Sequence, residues 1–124
     1  MIKELTDKNY SEMINNYNGI FFVDFYSPSC GPCQNLSEFL PHLENKYIDN
    51  KIKFLKCNIT ENPKIVSKYQ IRSVPLTLII NEKKEIKDAT LGLQQMDYYF
   101  NLIDKYILKK KSSKNKSKLW WKFW

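Results

Sequence analysis

The run Ile20-Phe21-Phe22-Val23-Asp24-Phe25-Tyr26 is apolar or aromatic at every position except Asp24. A strand with one wet face alternates apolar and polar residues. A strand without that alternation is buried on both faces, which requires a sheet covered by helices. This one run therefore points to an α/β architecture. Ser27-Pro28-Ser29 breaks it, and a helical pattern follows from about Gly31 to Tyr47, with Leu36, Phe39, Leu40, Leu43 and Tyr47 spaced along one face. At the junction of strand and helix stands Cys30-Gly31-Pro32-Cys33.

The remaining segments alternate in the same way. Residues 7–17 read as a first helix, capped by Thr6 or Asp7 and ended by Asn18-Gly19. Ile52 to Cys57 reads as a second strand, and Glu61 to Tyr69 as a short helix with Pro63 in its first turn. Pro75 opens a strand from Leu76 to Ile80, and Asn81-Glu82-Lys83-Lys84 turns it back into Glu85 to Leu91. A last helix is expected from Gln94 to Leu108. The sum is a mixed central sheet of four to five strands flanked by about four helices. The chain has 124 residues, 43% of them hydrophobic, which suits one domain with a real core.

Charge is unevenly placed. Lys109, Lys110, Lys111, Lys114, Lys116, Lys118 and Lys122 crowd the last sixteen residues, where no acid occurs. Without them the basic and acidic groups balance, so residues 1–108 form a neutral domain and residues 109–124 a basic tail. Nothing in the neutral body suggests a nucleic-acid surface. The N-terminus has no secretory pattern and no run is long enough to span a bilayer, so a cytoplasmic protein is expected. The tail also holds Trp120, Trp121 and Trp124, all three tryptophans of the chain. Lysines followed by Trp and Phe suit an anionic membrane surface. The alternatives are a tail that folds back on the body and one that meets a protein or nucleic-acid partner.

In a cytoplasmic chain a Cys-x-x-Cys pair is catalytic or metal-binding more often than structural. Cys30 lies where unpaired N–H groups and the positive end of a helix dipole favour a thiolate, the form that attacks disulfides. Cys33, one turn on, lies close enough to bond with it reversibly. Asp24, on the buried strand, can take the proton that Cys33 must lose; its alternative is a strand-end carboxylate facing water. A zinc site from Cys30, Cys33, Cys57 and His42 is the chemical rival. The spacing argues against it, because His42 is more than two turns past Cys33 and Cys57 sits alone on another strand. No metal is expected, and without a Gly-rich nucleotide loop no cofactor either.

The segments FFVDFYSPSCGPC, KCNITENP and YQIRSVPLTLII, with the later Gly92, resemble thioredoxins in order and spacing. The resemblance covers residues 3–108 and implies the thioredoxin fold. It also implies a protein-disulfide reductase in cell redox homeostasis, working through a mixed disulfide. Cys30 would attack, Cys33 would resolve, and the two would form the disulfide Cys30–Cys33. Asp24 would be the buried carboxylate with Lys56 as its partner, against the plainer reading of Lys56 as a solvated strand lysine. Val74 and a cis Pro75 would meet the substrate beside Gly31 and Pro32, with Gly92 lining the groove; otherwise Pro75 is an ordinary trans residue at a strand start. Expected partners are disulfide-containing clients and an NADPH-dependent thioredoxin reductase, with the protein itself a monomer.

Three positions depart from the family pattern. Ser29 replaces a tryptophan before the first cysteine, Tyr26 stands where tryptophan is commoner, and the usual helix proline is replaced by Glu38, with Pro41 one turn later. The first change removes an apolar wall beside Cys30. It favours an alternative function, a redox-capable binding or chaperone-like module held at a membrane or partner by its tail.

Overall fold

The computed structural model describes residues 2–112. Five strands, β1 (Lys3–Glu4), β2 (Ile20–Tyr26), β3 (Ile52–Asn58), β4 (Leu76–Ile80) and β5 (Ile86–Leu91), form one mixed sheet in the order β1-β3-β2-β4-β5. β1, β3 and β2 run parallel, while β4 is antiparallel to both β2 and β5. The described helices are α1 (Gly31–Lys46), α2 (Pro63–Tyr69) and α3 (Met96–Ser112). This is the α/β architecture expected, with three α-helices and one π-helical turn in place of four helices. Residues to Leu93 make one compact unit, and a second begins at Gln94. In that second unit Tyr99, Leu102 and Ile103 are buried, and the Tyr99 hydroxyl accepts from the Gln94 N–H.

β2 is buried at every position but Tyr26. Its odd residues Phe21, Val23 and Phe25 join Leu55, Cys57, Leu78 and Ile80 in a core closed by Leu5, Met13, Ile14 and Ile65. Its even residues Phe22 and Asp24 face the other way, in register with Phe54 and Lys56 of β3. Tyr47 at the end of α1 stacks on Phe54, whose ring also meets Phe22. α1 therefore covers the face that carries Asp24, burying Leu36, Leu40 and Leu43.

The first helix of the sequence reading is instead a π-helical turn over Ser11–Asn15. Thr6 and Asn9 bond to each other reciprocally, each side chain accepting the other's N–H. Asp7 caps a different helix: its carboxylate accepts the N–H groups of Lys64 and Ile65 at the start of α2. α3 runs past Leu108 to Ser112. The tail reading of residues 109–124 falls mostly on 113–124, which lie outside the described residues. Among the described residues no helix is long and apolar enough to cross a membrane.

Candidate active site

Cys30 is the N-cap of α1, with extended backbone angles, and Pro32 lies in the first turn. Proline is tolerated there because its missing N–H would have had no helical partner. The Cys33 N–H donates to Cys30 Sγ at 3.2 Å. Cys30 and Cys33 form a disulfide, their Cα atoms 5.2 Å apart. Cys30 is half-buried, Gly31 and Pro32 are exposed, and Cys33 is 2% exposed. One sulfur of the pair is thus open to a partner molecule, and the other sits behind it.

Two further segments end at the same edge of the sheet. β2 leads out through Ser27 into the cysteine motif, and Phe25 near its end pairs with Leu76, the first residue of β4. Val74 and Pro75 directly precede Leu76, and the peptide between them is cis. Leu76 also pairs with Leu91, the last residue of β5, and the Gly92 N–H donates to the Pro75 carbonyl at 2.8 Å. Gly92 has φ +88°, a conformation that a side chain disfavours. Pro75 is buried and Val74 half-buried.

Asp24 is fully buried, and neither of its carboxylate oxygens has a hydrogen-bond partner among the described residues. Burial therefore pushes its carboxyl up to about 7; the field of Lys56 opposes the rise and that of Glu4 adds to it. Lys56 is the β3 register partner of Asp24, but its ammonium lies 3.7 Å from Glu4 Oε2. It acts on Asp24 through the electrostatic field. Lys56 and Cys33, with Tyr26, Ser27, Pro28, Gln34 and Ser37, line a cavity of about 120 Å³.

The zinc ligands considered above are not brought together. His42 is exposed on α1, and Cys57 is buried on the opposite face of the sheet, its thiol pushed up to about 12 by desolvation. Among the described residues no three His, Cys, Asp or Glu side chains are grouped as metal ligands would be. Sequence reasoning missed Glu4, whose place beside Lys56 depends on a strand of two residues.

Comparison with known proteins agrees with this geometry. The thioredoxin family model matches residues 1–105. A thioredoxin of Rickettsia prowazekii is 36% identical over 107 residues, covering 86% of this chain and all of the relative. One from Staphylococcus haemolyticus is 34% identical over 106 residues, covering 86% and 98%. One from Buchnera aphidicola is 40% identical over 96 residues, covering 77% and 88%. With a redox-capable cysteine pair at the head of α1 and this likeness along the folded chain, the protein belongs to the thioredoxin family of thiol–disulfide oxidoreductases.

Proposed function

We propose that the protein works in the reducing direction on disulfides of client proteins, with Cys30 as nucleophile and Cys33 as resolving thiol. The observation that carries this is the disulfide across the first turn of α1, with the Cys33 N–H aimed at Cys30 Sγ. In the reduced protein that donor and the helix N-terminus favour negative charge on the outer sulfur. The Cys30 thiolate attacks one sulfur of the target disulfide, the target S–S bond breaks, and the freed target thiolate takes a proton from water. Cys33 then gives its proton to the Asp24 carboxylate and attacks Cys30 Sγ. The mixed disulfide breaks, the second target sulfur leaves as a thiolate that takes a proton from water, and Cys30–Cys33 forms. Two electrons have passed to the target.

A base is needed at that second step because Cys33 is shielded from water. Asp24 suits the part, since a carboxyl held near neutrality can both take and return a proton at physiological pH. Lys56 supports its ionised form. Val74, Pro75 and Gly92, converging on the cysteine end of the sheet with Gly31 and Pro32, provide the surface for an extended target segment. An NADPH-dependent thioredoxin reductase returns the electrons, and the protein acts as a cytoplasmic monomer. In the test, Cys33→Ser protein mixed with a reducible client should accumulate a mixed disulfide on Cys30 that dithiothreitol releases. Failure to trap, or trapping on Cys57, would overturn the assignment.

A second reading concerns residues 109–124, where seven lysines, no acid and three tryptophans occur together. This segment associates with anionic membrane surfaces. The full chain should co-sediment with phosphatidylserine vesicles but not with neutral ones, and replacing the three tryptophans with alanine should weaken that binding. Equal sedimentation with both vesicle types would refute it.

A further inference from the structure

Three adjacent parallel strands set an acid, a base and an acid in one row. Glu4 of β1 is the register partner of Lys56 in β3, and Lys56 is the register partner of Asp24 in β2. Register partners in parallel strands point to the same face, and neighbouring strands are about 4.8 Å apart. One ammonium therefore stands between two carboxylates. The contacts favour the outer one: Lys56 Nζ is 3.7 Å from Glu4 Oε2, while the Asp24 oxygens have no hydrogen-bond partner among the described residues.

Tyr26 fixes this choice. It lies two residues beyond Asp24 on β2, and its hydroxyl donates to the same Glu4 Oε2 at 2.8 Å. Its ring sits 5.7 Å from the Lys56 ammonium. Burial and the bond to Glu4 hold the phenol in its protonated, donating form. Glu4, Tyr26 and Lys56 thus form one cluster at the outer end of the row. Tyr26 and Lys56 also line the cavity that Cys33 borders. The hydroxyl comes from one of the positions where this chain departs from the family pattern.

We infer that Glu4 is a positioning residue for proton transfer at Cys33: anchored by Tyr26, it draws Lys56 away from Asp24 and so keeps Asp24 able to hold a proton. The inference rests on Asp24 being the proton acceptor proposed above. Thr77, the β4 partner of Asp24, carries no charge, and Cys30 and Cys33 of α1 are tied in the disulfide. The charges that bear on the Asp24 carboxyl are those of Lys56, which favours its ionised form, and Glu4, which opposes it. The charge of Glu4 and its hold on Lys56 act in the same direction, both opposing ionisation of Asp24.

The test follows the Asp24 carboxyl by ¹³C NMR in the oxidised full-length protein and follows single-turnover reduction of a model protein disulfide against pH. Glu4→Gln is the informative variant, because its amide oxygen still accepts from Tyr26 while the charge is gone. The Asp24 midpoint should fall by about half a pH unit or more, the size expected for a charge two strands away plus a released Lys56. The acid limb of the rate profile should move down with it. Lys56→Met should raise the midpoint, and in that background Glu4→Gln should have a clearly smaller effect. A midpoint that stays or rises in Glu4→Gln overturns the inference. So does an equal shift with and without Lys56, which would leave only the direct field of Glu4. Asp24→Asn separates the two readings. If the acid limb persists without Asp24, the proton-acceptor reading fails; if it vanishes while Glu4→Gln leaves the midpoint unmoved, only the role of Glu4 fails.

Discussion

Replacing Asp24 with asparagine should stabilise the oxidised fold, and the gain should depend on pH. The carboxyl is buried without a hydrogen-bond partner among the described residues and is pushed from an ordinary 3.8 up to about 7. Between those values the unfolded chain has released the proton while the folded chain still holds it. The folded state binds more protons there, so stability falls as pH rises through the window, and above about 7 the loss is complete. At about 1.4 kcal/mol per pH unit, the rise corresponds to roughly 4 kcal/mol of stability missing at alkaline pH. Asparagine has nearly the same shape and never ionises. Urea denaturation at a series of pH values should therefore show the two proteins nearly equal at about pH 4, with the variant ahead by about 4 kcal/mol at about pH 8. An offset that does not change with pH, or a variant less stable at pH 8, would refute the burial argument.

Gly92→Ala should destabilise by about 1–2 kcal/mol, because φ is +88° and an L side chain is strained there even with open space around it. Thermal unfolding reads the loss, and an unchanged midpoint would contradict it. Asp7→Ala removes the acceptor for two N–H groups at the head of α2 and should cost about 1 kcal/mol, measured by denaturant unfolding. Cys57 should resist iodoacetamide in the folded, reduced protein and react only on unfolding, since it is fully buried and its thiol is pushed up to about 12. Mass spectrometry after brief alkylation would show otherwise if Cys57 were accessible.

Local signals carried most of the fold. The unbroken apolar run of β2 announced a strand covered on both faces, and a proline and a turn marked the entry to α1. The start of β4 and the Asn81–Lys84 hairpin were legible for the same reason: proline and turn chemistry act within a few residues. What stayed hidden depends on pairing across the chain. β1 has two residues and no periodicity of its own, so neither it nor the place of Glu4 beside Lys56 could be read locally. Asp7 looked like the cap of the nearest helix, but folding delivers it to α2, more than fifty residues away. Asparagine-rich residues 7–17 lack the propensity for a full α-helix, and the Thr6–Asn9 exchange closes a turn that leads into the π-helical segment. α3 outlasts its apolar pattern because lysines form helix well and suit its C-terminal end.

The proposed reaction requires the outer sulfur at the head of α1 to be an activated thiolate once the disulfide opens. The most direct measure of that activation is the iodoacetamide alkylation rate of Cys30 near neutral pH in the reduced protein, compared with an unperturbed thiol that titrates at about 8.5. Cys30 should react faster than that reference and far faster than Cys33, and its reaction should hold its rate as the pH is lowered below neutrality. A Cys30 that reacts no faster than the reference, and slows in step with it on acidification, would contradict the account.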